Sequence, residues 1–360
     1  MTRLGDVCAI RYGKDHKKLS DGSIPAYGSG GIIRYVDTAI CEKPSVLIPR
    51  KGTLGNLFYT DKPFWTVDTL FWTNIDQTKI VPKYLYYQLK QKDLASYNVG
   101  TAVPSLTVEI LNEIDFEVPS IDKQKRIVEV LNSFDSKIAL NNQLNDYLEQ
   151  LVDGKFQELF GGLNFNATLS DVAEITMGQS PAGSSYNEEG AGIIFYQGRG
   201  EFGWRFPKRR LYTTEPKRLA CEGDVLMSVR APVGDLNVAF ENCCIGRGLA
   251  AIHSETPSFA LYLMRFLKPQ LEAYNGEGTV FGSINGKALK SLEVALPSHN
   301  EVMQFESFAA PIDALIRSNE NETRKLNNLR NYLLPKLMSG EIDVSKVDLT
   351  QLTNNHLAAC

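Results

Sequence analysis

The sequence has little with which to hold a metal ion or a disulfide framework. Its six cysteines (Cys8, Cys41, Cys221, Cys243, Cys244 and Cys360) contain no C-x-x-C pair, and its four histidines stand singly. Zinc-ligand spacing and a paired-cysteine scaffold are therefore both missing, and neither a metal nor a cofactor is expected. No apolar run approaches the roughly 20 residues that a membrane span needs, and the opening MTRLGDVCAI lacks the apolar core of a signal peptide. The expectation is a cytoplasmic chain with no membrane partner. Nor is there an excess of one charge: 38 Lys and Arg face 42 Asp and Glu, a net charge of −4. Such a balance excludes a grip on nucleic acid by bulk charge and leaves only local patches to supply one.

Catalytic signatures are missing too. The chain contains no glycine-rich phosphate loop ending in Lys-Ser/Thr, no Asn/Asp-Pro-Pro-Tyr/Phe run of an amino-methyltransferase, and no histidine beside a nucleophile in a recognisable elbow. One lure is Gly198 to Gly203, a literal G-x-G-x-x-G after the strand-like Ile193 to Tyr196. A dinucleotide site needs a helix next, so that its N-terminus faces the pyrophosphate. The next residues, Trp204 to Arg210, carry Pro207 and interleaved aromatics and do not read as a helix. No catalytic residue is assigned, and the chain is read as a non-enzyme.

What is present is a repeat. At 360 residues with 43% hydrophobic and 22% charged residues the chain reads as an ordered globular protein of two domains. Laid against itself at an offset of 178, residues 84–162 match residues 262–340 at Tyr84/Tyr262, Leu89/Leu267, Gly100/Gly278, Thr101/Thr279, Ser105/Ser283, Pro119/Pro297, Asp135/Asp313 and Asn141/Asn319, among others. The openings "LGDVCAIRYG" and "LSDVAEITMG" correspond at an offset of 165, so the second copy gains 178 − 165 = 13 residues in its front half. Between these anchors "SVLIPRKGTLG" (Ser45 to Gly55) aligns with "DVLMSVRAPVG" (Asp224 to Gly234). A similar frame surrounds a divergent interior in each copy.

The front of each copy alternates short apolar runs with Gly and Pro, which reads as sheet. Pro82 opens a helix in the first copy, and Phe259 to Tyr274 is its counterpart. The back changes to helical period: Ile127, Leu131, Phe134, Ile138, Leu144, Leu148, Leu151 and Leu159 in the first copy, and Phe308, Ile312, Leu315, Leu326, Leu329, Leu333 and Leu337 in the second. Helices this long with a narrow apolar seam need a partner, and each other is the obvious one. Both seams turn polar midway, at Asn141, Asn142 and Asn145 and at Asn319, Asn321 and Thr323; a polar seam residue fixes register at a cost in stability, unless it is simply solvated.

Charge and aromatics cluster in the heads. Arg199, Arg205, Lys208, Arg209 and Arg210 lie together with Phe202, Trp204 and Phe206 and a single acid, Glu201. The first head offers Lys14, Lys17, Lys18, Arg34, Arg50 and Lys51, and the second adds Arg230 and Arg247. These are the DNA-binding candidates, because arginine pairs bidentately with guanine and either cation holds phosphate. Each could equally be ordinary solvated charge.

Taken together, the two-copy layout, the GT-x-x-x-S-[LI] element ahead of Pro119, Gln124 and Ile127, the run from Ser45 to Phe71 and the closing "YLLPKLMSGEI" resemble the specificity subunit of type I restriction-modification systems. The resemblance implies a mixed α/β chain in which two similar target recognition domains are separated by two long helices packed as an antiparallel coiled coil. Its expected divisions are a first recognition domain over 1–120, a spacer helix over 121–163, a second recognition domain over 164–299, a second helix over 300–340 and a flexible tail over 341–360. It further implies a bipartite double-stranded DNA target, two methylation subunits docked on the helices, and restriction subunits joined to that core. The chain departs from the pattern at Val302, which stands where Gln124 stands in the first copy. A two-headed protein-binding scaffold without DNA readout is the other reading of the same repeat.

Overall fold

A computed structural model of the chain describes residues 1–100, 103–276 and 282–347, and they form two units. One comprises Met1–Leu140 with the chain from Glu322 onward, the other Asn141–Asn321. Each unit holds a mixed α/β head and a segment of each long helix, Ile121–Phe160 and His299–Ser339.

The first head has two sheets. One is antiparallel, in the order Cys8–Tyr12, Leu70–Ile75, Ser45–Pro49, Phe58–Thr60; the other places Asp21–Gly28 between Gly31–Val36 and Trp65–Thr66. Ser45–Pro49 is buried along its whole length, as a central strand covered on both faces must be. Its cover includes the helix Pro82–Lys90, opened by Pro82, whose missing N–H costs nothing in a first turn. The core joins Val46, Ile48, Phe71, Tyr84 and Leu85 to Ile127, Leu131 and Phe134 of the first long helix and to Leu326 and Leu337 of the second.

The second head repeats this plan. Glu174–Met177, Leu249–His253, Val225–Ser228 and Leu236–Val238 form the antiparallel sheet, and Ile193–Tyr196 pairs parallel with Cys243–Ile245 in a second sheet widened to five strands. Its core runs from Val225, Met227 and Ile252 through Phe259 and Tyr262 to Val152, Phe156 and Phe160 of the first long helix and Phe305 of the second. The phenylalanines meet edge to face or tilted, with Phe156 centred 5.3 Å from Phe305 and 5.0 Å from Phe160, the geometry aromatic quadrupoles favour.

Within each unit the long helices face each other in antiparallel sense. Asp135 meets Arg330 and Lys137 meets Glu322 in the first; Asn145 meets Asn319 and Phe156 meets Phe305 in the second. Asn141 and Asn145 are buried to 2% and 1% exposure, and the Asn319 side-chain amide donates to Asn145 at 2.8 Å. These asparagines belong to the seam, whereas Asn142 and Asn321 face outward. The second long helix stops at Gly340, whose φ of +78° is the left-handed conformation that closes helices. Residues 341–347, which the sequence suggests as the start of a free tail, do not leave the fold. Val344 is 2% exposed in the first head's core and Arg126 donates to the carbonyl of Val347. The remainder of that expected tail lies outside the described residues.

Candidate nucleic-acid interface

The repeated G-T-x-x-x-S element has a structural role that its serine makes plain. In the first head Ser105 bridges Lys51, with the Leu106 N–H donating to the Arg50 carbonyl at 2.9 Å and the Gly52 N–H to Pro104 at 3.0 Å. In the second, Ser283 bridges Arg230, the Ile284 N–H donates to Val229 at 3.1 Å, and the Ala231 N–H donates to Gly282 at 3.0 Å. The same two hydrogen bonds, one on each side of the bridge, therefore fix the backbone of one exposed cation, Lys51 or Arg230, at the end of a buried strand. Thr101 and Gly278 to Phe281, also part of the element, lie outside the described residues.

Other links recur around it. Val67 and Gly246 donate to the carbonyls of Tyr27 and Tyr196, and Gly13 and Gly178 to those of Leu70 and Leu249. The heads diverge in the connection after the strand that ends at Gly28 or Tyr196. The first turns through two residues between Gly28 and Gly31, while the second needs residues 197–210 between Tyr196 and Leu211. Between ladder partners, the offset of equivalent residues grows there from 169 (Ala26 to Phe195) to 177 (Arg34 to Leu211), which places eight inserted residues in this connection.

This connection carries the basic cluster, and the structure divides it. Arg205 is a correction: it is 4% exposed, with its guanidinium between Glu149 of the first long helix and Asp313 of the second and against the Tyr262 hydroxyl at 3.2 Å. A guanidinium so enclosed has no face left for a phosphate or base. Arg199, Arg209 and Arg210 are half exposed but paired, with Asp235 at 2.5 Å, Glu241 at 2.6 Å and Glu201 at 2.8 Å. Lys208 is exposed, Trp204 is 45% exposed, and Phe206 is buried against Phe240. Arg230 and Arg247 are exposed and, among the described residues, have no carboxylate within ion-pairing distance. They line one cleft of about 340 Å³ with Gln197, Gly198, Gly200 and Glu201. Sequence reasoning misses Gln197; its position immediately before the G-x-G-x-x-G run is the signal that could have found it.

In the first head Lys14, Lys17, Lys18 and Lys51 are exposed. Arg50 donates to the Asp68 carbonyl at 3.1 Å and lies 5.3 Å over the ring of Tyr12, itself 53% exposed. Arg34 is held by Asp21 at 2.6 Å and by the Leu19 carbonyl. In the second head Cys221, Asp224 and His253 converge, with donor atoms within 4.8 Å of one another. Asp224 already accepts from the Cys221 N–H at 2.7 Å and meets His253 Nδ1 at 2.6 Å, so hydrogen bonding inside the fold accounts for the grouping.

On the long helices Ile127, Leu131, Phe134 and Leu326 lie in the buried seam, and Ile138, Leu148, Ile312 and Leu333 are partly buried. Leu144, Leu151, Leu159, Phe308, Leu315 and Leu329 do not belong to it: they are 38%, 54%, 42%, 37%, 45% and 51% exposed. Adjacent helical residues are about 100° apart, so the seam passes through Val152 and Ile316 instead and carries their neighbours outward. Leu144, Tyr147 and Leu151 consequently form an exposed apolar line at spacings of three and four. Val302 is buried, and the role of Gln124 passes one turn along to Glu306. Gln124 accepts from the Val81 N–H at 2.8 Å ahead of the helix Pro82–Lys90, while Glu306 accepts from Ser258 and Phe259 at the start of Pro257–Phe266. Among the described residues no helix is long and apolar enough to cross a membrane.

Comparison with known proteins bears on these surfaces. Residues 1–150 and 166–331 match the family model described as the type I restriction modification DNA specificity domain. The chain is 34% identical over 298 residues to the putative type I restriction enzyme MjaX specificity subunit of Methanocaldococcus jannaschii, covering 75% of this chain and 70% of that one. It is 23% identical over 360 residues to the MjaIX specificity subunit of the same organism, covering 88% and 81%. Its fold is similar to the crystal structure of a type I S subunit from M. genitalium, with a TM-score of 0.61 at 17% identity over 93% of this chain and 95% of that one.

Proposed function

Because the chain belongs to the family of type I restriction-modification DNA specificity domains, and is a specificity subunit of such a system, we propose that each head reads one half of a bipartite double-stranded DNA target. Specificity subunits are non-catalytic; methylation and cleavage belong to the partner subunits with which they act on DNA. The observation that carries the bipartite reading is the pair of matched frames: two equivalent backbone hydrogen bonds hold Lys51 and Arg230 in place, while the surface beside each differs. Two frames that place a cation alike suit a shared way of presenting each head to DNA, and two different surfaces suit different bases. Residues 1–120 and 164–299 are the proposed recognition domains, each followed in sequence by a helical docking element, 121–163 and 300–340.

The exposed line Leu144, Tyr147 and Leu151 supports docking of the methylation subunits on the long helices, since three apolar side chains on one helix face are expensive to leave in water. With one frame per half-site, two methylation subunits are proposed, joined by restriction subunits. Exchanging residues 1–120 for the corresponding head of a relative, and mapping methylated sites made by the assembled complex, tests the reading. One half of the recognised sequence should change and the other stay. A swap that alters both halves together sinks it. Tyr147→Asp combined with Leu151→Asp should abolish co-purification with the methylation subunit while leaving thermal unfolding unchanged.

A further inference from the structure

The G-x-G-x-x-G run is not a dinucleotide loop, and the fold itself has no need of its first two glycines. Gly198 has φ −172°, an extended conformation open to any residue, and the nearest atom that a side chain there would meet is the Gly248 Cα at 4.0 Å. At Gly200 an added Cβ would meet nothing within 4 Å. Neither position is among those with positive φ. Gly248 on the same cleft and Gly246 just before it are different: a Cβ on either would sit 2.8–2.9 Å from the Gln197 carbonyl, so packing alone requires glycine there. Glycine at 198 and 200 keeps space free outside the chain, and what would occupy that space is set by the groups around it.

Those groups include two arginines, Arg230 and Arg247, unpaired among the described residues, a third, Arg199, held by Asp235, one exposed amide and one carboxylate. Arg230 is fixed through its bridge to Ser283, and Arg247 through its N–H to the Ser180 hydroxyl at 3.3 Å; Gln197 is fixed by the Gly248 N–H donating to its carbonyl at 3.2 Å. Glu201 lies on the same cleft, 7% exposed, accepting from the Gly198 N–H and from Arg210. A carboxylate on the wall repels a phosphate but accepts from the exocyclic amine of cytosine or adenine. Arginine and glutamine are the side chains that pair bidentately with guanine and with adenine in the major groove.

We propose that this cleft is the base-reading site of the second head, with Arg230, Arg247 and Gln197 hydrogen-bonding base edges and Gly198 and Gly200 leaving room for the DNA to approach. The inference rests on the bipartite reading above and assigns its specificity to the unpaired arginines, not to the denser cluster at Arg205, Arg209 and Arg210.

The test uses the complete complex with its methylation and restriction partners on a library of randomised sites. Arg247→Ala, Arg230→Ala and Gln197→Ala should each relax one position in one half-site, lowering discrimination there about tenfold or more, while the other half-site is unchanged. Gly200→Ala should fold as the wild type and weaken cognate binding several-fold. Arg209→Ala should leave the recognised sequence as it is. If the three cleft variants weaken binding to all sequences alike with the motif intact, the cleft holds phosphates and the proposal is wrong. An unaltered motif at unaltered affinity overturns it as well. If the wild-type complex itself shows no bipartite motif, the reading of two independent heads fails first and this assignment falls with it.

Discussion

The two heads are anchored to their helices by different chemistry. In the second, Arg205 inserts its guanidinium between Glu149 and Asp313, and beside it Arg265 pairs with Asp153 at 2.6 Å and with Glu149 at 2.9 Å. In the first, the equivalent aspartate, Asp135, takes the Tyr87 hydroxyl at 2.5 Å and Arg330 from the facing helix at 2.7 Å, with Lys83 further off at 3.8 Å. A side chain of the inserted connection thus ties the second head down, while the first is tied by the facing helix and a tyrosine of its own short helix. The difference teaches that an insertion can be structural at one residue and surface-forming at its neighbours.

Breaking this comparison at its strongest point should give the largest effect. Arg205→Ala leaves Asp313 partly buried with only the Tyr262 hydroxyl and Glu149 with Arg265 alone, and loss of one partner from such a site costs about 3–5 kcal/mol. Arg330→Ala removes a charge-assisted bond from a more open site, with side-chain exposures of 14% and 23% for Arg330 and Asp135, and should cost about 1.5–3 kcal/mol. Hydrogen exchange read separately for amides of each head measures both. Protection should drop most in the second head for Arg205→Ala and in the first for Arg330→Ala. Equal losses for the two variants would mean that burial does not set the cost. Arg205→Met, which keeps the volume and removes the charge, should cost more than a fully apolar triad would, because both carboxylates remain.

A finer comparison concerns the two helix starts. Gln124 satisfies the Val81 N–H and reaches the carbonyls of Lys79 and Pro119. Glu306 satisfies two N–H groups with a carboxylate, and its burial raises its pKa above the ordinary carboxylate value. Gln124→Ala should destabilise the first head by about 1–3 kcal/mol through the orphaned buried donor. Glu306→Gln keeps an acceptor and should be milder near neutral pH. The raised value means that stability from Glu306 is full below the unfolded carboxylate range and declines as pH rises through the folded one. Denaturant midpoints of the wild type and Glu306→Gln between about pH 4 and 7 should therefore converge or cross toward the higher pH, and a gap that widens in favour of the wild type would contradict it.

Much of this architecture is legible in the sequence, and the failures have a common cause. The repeat, the long helices and the polar seam at Asn141 and Asn145 show in residue identities because each is a property of the chain alone. The placing of Leu151, Leu315 and Leu329 in the seam fails because the buried face of each helix also receives groups from a head. Glu149, Asp153 and Asp313 lie on or beside that face, where charge normally marks solvent, and only the arrival of Arg205 and Arg265 makes them inward-facing. Arg205 reads as a DNA contact for the same reason: its partners are 56 and 108 residues away in sequence. The cleft residues Arg230 and Arg247 are visible as cations, but that no carboxylate among the described residues lies within ion-pairing distance of them appears only after folding.

The smallest expected effect separates the heads by pH. At equivalent strand positions the first head carries Ser45 and Asn74 and the second Asp224 and His253. The first pair is neutral, and Ser45 bonds instead to Thr73 at 2.8 Å. In the second, the Asp224 carboxylate accepts from His253 Nδ1 at 2.6 Å, and that hydrogen bond, followed by the charge of Asp224, raises the imidazole above its usual value. A raised histidine stabilises the fold fully below the unfolded value of about 6.5 and loses that contribution as pH rises through the folded value. Because the His253 side chain is 53% exposed, solvent screening holds the gain to under about 1 kcal/mol. Urea unfolding of the full chain from about pH 5 to 8.5, as wild type minus His253→Gln, should show a small difference at the acid end that fades toward the alkaline end. Amides of the first head should show no such trend, since its matching pair does not titrate there. A difference that stays constant across the range would mean that His253 acts through packing alone and that the ion pair contributes nothing.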